Sequence, residues 1–267
     1  MRAPNGTWIT AYNMEDSDEQ GGLKIDTLTI QQLDKLHKTV DLLIEDGVLE
    51  DKGSIKANYD AYLHPDVLEY NDYKMWNKLD QNLIFDAFQF DSLMGKSVIE
   101  KTHPRSMLEL STANSLMRLM AQDANSEAPA DTYKRYKNNI SLWYGEMREA
   151  GLNNEEMGIL KNHLGPLYGV ADTQEAIMKL SMDEKISGFD IVGSNLLRKA
   201  IAKKKANLVE EVREKFYTHG KEIGTSQQML DYVWNVQICR QLGYSFSMNH
   251  CMPYTAICIQ CMNMVEK

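Results

Sequence analysis

The stretch Tyr168-Gly169-Val170-Ala171-Asp172-Thr173-Gln174-Glu175-Ala176-Ile177-Met178-Lys179-Leu180, the break at Gly188-Phe189, and Leu196-Leu197-Arg198-Lys199-Ala200-Ile201-Ala202-Lys203-Lys204-Lys205 read as two helices joined by a short glycine-marked turn. Asp172 and Glu175 have capping-box spacing at the start of the first helix, and Ile177 with Leu180 supplies its apolar face. The second helix is expected to begin near Asp190. At about 100° per residue, Val192, Leu196, Leu197, Ala200 and Ile201 fall on one side of it, and Arg198 and Lys205 on the other. Lys199 and Lys203 share a flank. Two readings of these cations stand side by side. Cations near a helix C-terminus gain roughly 0.3–1 kcal/mol from the macrodipole and need no ligand, so a solvated face is the default. Several cations on adjacent faces also concentrate positive potential, as a polyphosphate or nucleic-acid contact surface does.

A chain of 267 residues with 43% hydrophobic content can bury a real core and fits one or two domains. The opening Met1-Arg2-Ala3-Pro4-Asn5-Gly6 has no apolar signal region, and no uncharged apolar run is long enough to span a bilayer. A soluble, cytoplasmic protein without membrane association is therefore expected. The net charge of −9 argues against a free-standing nonspecific DNA binder. The charge is uneven, with acidic residues dominating the start of the chain and a basic stretch from Arg198 to Lys221, which suits contact with phosphates at one place. Cys239, Cys251, Cys258 and Cys261 lie near the C-terminus beside His250. A zinc site is not expected there, because Cys258 and Cys261 sit on an apolar segment and no second closely spaced pair completes a ribbon.

Periodicity organises the remainder. Thr7 to Ala11 has weak strand character, Glu15 to Glu19 reads as an acidic turn, and Leu23 to Leu28 alternates like a short strand. Leu33, Leu36, Val40, Leu43 and Ile44 mark an amphipathic helix stopped by Gly47, and Asp51 to Asp72 reads as a linker or loosely packed passage. Helices are expected over Tyr73–Phe85, from an Asp91 or Ser92 cap to before His103-Pro104, and over Leu110–Met120, which carries Arg118. After a break at Ala128-Pro129-Ala130, Tyr133 to Ala150 is strongly helical. Gly151 to Glu156 ends that helix and caps the next, to about His163. A charged helix over Asn207–His219 is broken by Gly220, Ser226 caps a helix through Arg240, and an apolar helix follows Pro253 to Val265. The expected architecture is mainly α, with roughly eight to ten helices behind a small strand-containing N-terminal piece. No glycine-rich phosphate loop, Ser/His/Asp order or zinc-protease motif is present.

Four separated blocks, in order, resemble the C-family replicative polymerases, the catalytic alpha subunits of bacterial DNA polymerase III. Leu23-Lys24-Ile25-Asp26-Thr27-Leu28 is similar to the palm segment Val-Lys-Phe-Asp-Phe-Leu-Gly. Ala87-Phe88-Gln89-Phe90-Asp91-Ser92, with Arg118 downstream, is similar to Val-Phe-Gln-Leu-Glu-Ser and a later Arg-Pro-Gly-Pro. Tyr168-Gly169-Val170, Gln174-Glu175 and Met178, then Leu196 to Ala200 through Lys203-Lys204, resemble Tyr-Gly-Val, Gln-Glu-Gln, Met and Leu-Leu-Arg-Arg-Ala-Met-Gly-Lys-Lys. Tyr244-Ser245-Phe246, His250 and Tyr254 resemble Tyr-Gly-Phe-Asn-Lys-Ser-His and the tyrosine after it. The chain departs from the family at Leu119, where Pro follows Arg, at Met248, where Lys is frequent, and at Asn249, where Ser stands.

The resemblance implies the end of a palm over residues 1–50 and a multi-helix fingers domain over 51–267. Its chemistry is template-dependent deoxynucleotidyl transfer, with palm carboxylates holding two Mg²⁺ ions. Asp26 matches one palm metal ligand and Lys24 its catalytic neighbour. Arg198, Lys199 and Lys203 are then expected to meet the dNTP triphosphate, and Arg118 and His250 to line the nucleotide cleft. This reverses the default for those three cations and leaves Lys204 and Lys205 solvated. Asp16 and Asp18 have Asp-x-Asp spacing, but they sit too close before Asp26 to be the family's metal pair. Primer-template DNA, dNTP and a complementary fragment carrying the Asp-x-Asp palm are the implied partners, in a bacterial or phage-infected cell. The Mg²⁺ site would be shared with that fragment, and the isolated chain is not expected to polymerise DNA unaided. The alternative is a non-catalytic helical module that binds DNA or protein through its basic face.

Overall fold

The computed structural model describes residues 1–23, 29–119, 126–203 and 206–267, excepting the side chain of Lys203. The described residues are mainly α, 65% helical against 2% strand. The expected strand over Thr7–Ala11 reduces to a single bridge between Arg2 and Trp8, with the Arg2 guanidinium 4.5 Å from the Trp8 ring centroid. A lone extended segment without a partner strand cannot build a ladder. The second expected strand, Leu23 to Leu28, lies outside the described residues after Leu23, and with it Lys24 and Asp26.

Fourteen α-helices are present among the described residues. The acidic turn is helix α1 (Met14–Glu19), because Asn13 accepts the Asp16 amide as its cap. Helix α2 (Gln31–Glu45) follows its apolar stripe. The supposed linker after it contains α3 (Ile55–Tyr62), capped by Ser54, and buries Leu63 and Leu68. Then come α4 (Tyr73–Asp80), α5 (Leu93–Thr102) and α6 (Met107–Leu116). Ser92 caps α5, its hydroxyl accepting the Gly95 amide at 3.0 Å. Arg118 stands just beyond α6.

The run expected as one helix over Tyr133–Ala150 is two, α7 (Pro129–Asn138) and α8 (Ile140–Glu149). Asn139 separates them in extended backbone (φ −150°, ψ 92°) and caps α8 through the Ser141 amide. Pro129 opens α7 rather than marking a loop, since a first-turn proline forfeits no helical hydrogen bond. Helix α9 (Asn154–Leu164) starts with a complete capping box between Asn153 and Glu156.

Helices α10 (Gln174–Met182), α11 (Ile191–Lys203) and α12 (Ala206–Glu222) follow. Gly220 lies inside α12 and is no breaker. A Cβ there would stand 2.4 Å from Leu230 Cδ2 and 2.9 Å from the Ile186 carbonyl oxygen, so glycine permits a close approach of two elements. Helix α13 (Gln227–Asp231) passes without interruption into a π turn (Tyr232–Ile238) and a 3₁₀ turn (Cys239–Gln241). Helix α14 (Met248–Val265) closes the fold, with Pro253 inside it.

Two clusters make the core. The larger gathers Leu110, Trp143, Leu160, Ile177, Phe216, Leu230, Ile238, Cys258, Ile259 and Met262 among its members. The smaller joins Leu36 and Val40 of α2 and Leu63 to Ile257, Cys261 and Met264 of α14. Helix α14 therefore presents residues to both, which explains why its sequence is apolar nearly all round. Among the described residues no helix is long and apolar enough to cross a membrane.

Candidate functional site

Helix α11 buries Leu197, Ala200 and Ile201 as its pattern predicts, but Val192 is 72% exposed. Lys199 is exposed and Arg198 half-buried. Arg198 donates through Nε to Asn195 Oδ1 at 2.9 Å and through Nη1 to Gln174 Oε1 at 3.4 Å. Lys203 ends α11, and its side chain is outside the described residues.

Gln174 is the joint between α11 and the segment Gly243–Ser247. Its backbone amide donates to the Phe246 carbonyl at 3.0 Å, and its side-chain Nε2 donates to the Ser245 carbonyl at 2.6 Å. Phe246 in turn receives Arg118, whose guanidinium carbon lies 4.3 Å from the ring centroid. Arg118 is fixed by its own turn, donating to Asn114 O at 2.7 Å and Asn114 Oδ1 at 2.6 Å, and by donation to Gln89 Oε1. Gln89 reaches it from a strained backbone with φ 74°. His250 is exposed and stacks on Phe246 with ring centroids 6.3 Å apart, while Tyr254 meets it edge-on at 6.3 Å. A hydrogen-bonded core histidine is therefore not what His250 is. Tyr244 also stacks on Phe246, at 6.4 Å.

The capping box expected of Asp172 and Glu175 does not form. Thr173 caps α10 by accepting the Ala176 amide at 3.3 Å, and both acidic residues serve elsewhere. Glu175 accepts from the Met248 amide at 2.8 Å and the Ser247 hydroxyl at 2.9 Å, placing a carboxylate at the positive end of α14. Asp172 is 2% exposed, and one of its carboxyl oxygens has no hydrogen-bond partner among the described residues. Burial pushes its pKa up to about 6.

Sequence reasoning thus named Arg118, Arg198, Lys199 and His250 and missed what joins them: Gln89, Asn114 and the Phe246 ring. Asn114 four residues before Arg118 was the available signal, since that spacing places both on one helix face. Beside Tyr254 opens a groove lined by Thr29, Gln32, Lys35 and Phe88, where the chain leaves the undescribed 24–28. Lys35 pairs there with Asp86 at 2.7 Å. Among the described residues no three His, Cys, Asp or Glu side chains are grouped to hold a metal ion. Cys251 is instead taken up by Ser111 and Ser115, and Cys261 by Gln32.

Residues 48–224 match the family model described as the bacterial DNA polymerase III alpha subunit finger domain. The chain belongs to that family. The fingers chain is 48% identical over 264 residues to a probable DNA polymerase YorL of Bacillus subtilis (strain 168), and equally to a DNA-directed DNA polymerase of Bacillus phage SPbeta. Each alignment covers 99% of this chain and 20% of the relative. The DNA polymerase III subunit alpha of Aquifex aeolicus is 27% identical over 252 residues, 93% of this chain and 19% of that protein. The fingers chain therefore spans about a fifth of the length of these relatives. The contacts that run from Gln89 through Arg118, and from Gln174 to Arg198, draw all but the terminal aromatic block from inside the matched region.

Proposed function

We propose that this chain is the dNTP-binding part of a template-directed DNA polymerase, with residues 1–50 ending the palm and 51–267 forming the fingers. The observation that carries the reading is the contact path from Arg198 to the Gln174 side chain, from the Gln174 amide to the Phe246 carbonyl, and from the Phe246 ring to Arg118 and His250. It sets two arginines beside the exposed rings of His250 and Tyr244, which stack on the buried Phe246, the combination suited to phosphates and a base. Arg198, Lys199 and Lys203 take the triphosphate; Arg118 and His250 line the base side. Asp26, with Lys24 beside it, contributes one carboxylate to a Mg²⁺ site completed by the Asp-x-Asp pair of a complementary palm. Primer-template DNA is the other partner. Bound there, Mg²⁺ would supply the charge that activates a primer hydroxyl and stabilises a pyrophosphate leaving group.

Two measurements test this. The first mixes the chain with a fragment carrying the Asp-x-Asp palm and looks for Mg²⁺-dependent primer extension, lost on Asp26→Ala. Absence of extension, with salt-dependent DNA binding unchanged by Asp26→Ala, replaces the reading with a non-catalytic DNA-binding module. The second titrates the chain with a fluorescent dATP analogue. Arg198→Ala is expected to weaken binding roughly tenfold to a hundredfold, the size of a lost charged hydrogen-bond contact. Equal affinity in the variant removes Arg198 from the site.

A further inference from the structure

Resting on the nucleotide-cleft reading, we infer that Gln237 and Gln241 are positioning residues. Two buried glutamines hold the segment that leads from the Gly169 turn into α10 and so fix where Gln174 places Arg198 relative to Phe246 and His250.

Both side chains are fully buried. Gln237 grips one face of the segment, Oε1 accepting from the Ala171 amide at 3.0 Å and Nε2 donating to the Gly169 carbonyl at 3.0 Å. Gln241 continues along the same segment, its Nε2 donating to the Ala171 carbonyl at 2.8 Å and the Thr173 carbonyl at 3.2 Å. Its Oε1 accepts the Ser245 hydroxyl. The bonds fall on residues 169, 171 and 173, from the left-handed turn at Gly169 to the extended Thr173 that caps α10, so the two amides pin the segment along its length. A partner on another side is the bridge from Thr173 to Phe246. The same few residues thus join the aromatic platform to the loop that starts α10.

The glutamines come from the one place where the α13 run changes pitch. Gln237 is the penultimate residue of the π turn and Gln241 the last of the 3₁₀ turn. Such pitch changes give poorer backbone geometry than an α-helix and concentrate at functional sites. Buried amides are tolerated when they are satisfied, and here each carries at least two hydrogen bonds into the segment. Gln241 also touches Ser245, whose carbonyl is the acceptor for Gln174. Displacing Gln241 therefore shifts both ends of the Gln174 joint at once.

The test is a double-mutant cycle on the full chain, read by titration with a fluorescent dATP analogue and Mg²⁺. Gln241→Met keeps the volume and removes the amide. It is expected to lower affinity about tenfold while thermal unfolding stays cooperative. If Gln241 acts by placing Arg198, Gln241→Met adds no further loss to Arg198→Ala, because coupled residues are not additive. Full affinity in Gln241→Met, or independent and additive losses in the double variant, overturns the inference and leaves the cleft reading standing. No binding by the unmodified chain overturns both. Should Gln241→Met fail to fold, Ser245→Ala removes only the hydroxyl that orients the amide and is read against Arg198→Ala in the same cycle.

Discussion

Replacing Gly169 by alanine is expected to destabilise the fold by about 2–5 kcal/mol, combining overpacking with a left-handed backbone. Gly169 has φ +76°, and a Cβ there would lie 2.5 Å from Trp143 Cδ2 and 2.7 Å from Cε2. The ring cannot give way. Trp143 is fully buried, and its indole N–H donates to the Tyr232 hydroxyl at 3.0 Å. Gly169 also supplies the carbonyl that Gln237 holds. The control is Gly47→Ala: φ is +73° but nothing stands within 4 Å, so only backbone strain of about 1–2 kcal/mol applies. Urea unfolding of both variants decides. If Gly169→Ala loses no more than Gly47→Ala, the contact with Trp143 is not what fixes this turn.

The second large effect has the opposite sign. Asp172→Asn is expected to stabilise the protein by up to about 3 kcal/mol at pH 8, since each unit of pKa difference is worth about 1.36 kcal/mol. The Asp172 pKa is raised by burial from 3.8 to about 6. A raised carboxyl binds its proton more tightly folded than unfolded, so its contribution is favourable below the unfolded value and is lost as pH rises through about 6. Asparagine resembles the protonated form. The stability difference between variant and parent should therefore be near zero below pH 3.8, grow between that value and about 6, and stay level above it. Denaturant unfolding at matched pH values measures it. A difference independent of pH would mean that the ionised carboxylate finds compensation in the core.

Asp172 also shows where the sequence stopped being readable. Its spacing to Glu175 satisfies a local capping rule, and the rule failed because Glu175 is claimed by the start of α14, distant in the chain. Caps whose partners lie within the same turn were legible, as at Ser92, Asn153 with Glu156, and Ser226. Asn139 was not, because Leu142, Tyr144 and Met147 continue an apolar pattern across a break made by one extended residue. Gly220 misled for the related reason that glycine punctuates helices locally but here admits Leu230. In the candidate site the cations were legible from their resemblance to a known motif. The platform beneath them was not, since Phe246 reads as core until its contacts with Arg118 and His250 are seen.

The helix α14 that serves two cores carries a consequence for how the chain can be divided. Ile257, Cys261 and Met264 face α2 and Leu63, while Cys258, Ile259 and Met262 face the main body. Cutting after residue 50 would strip α2 from that surface and leave a greasy strip along the last helix. A shortened chain starting at residue 51 should be prone to self-association, visible as a concentration-dependent species in light scattering. Retaining residues 29–50 should keep it monodisperse, so a minimal fingers module needs α2 even though that helix lies on the palm side of residue 50.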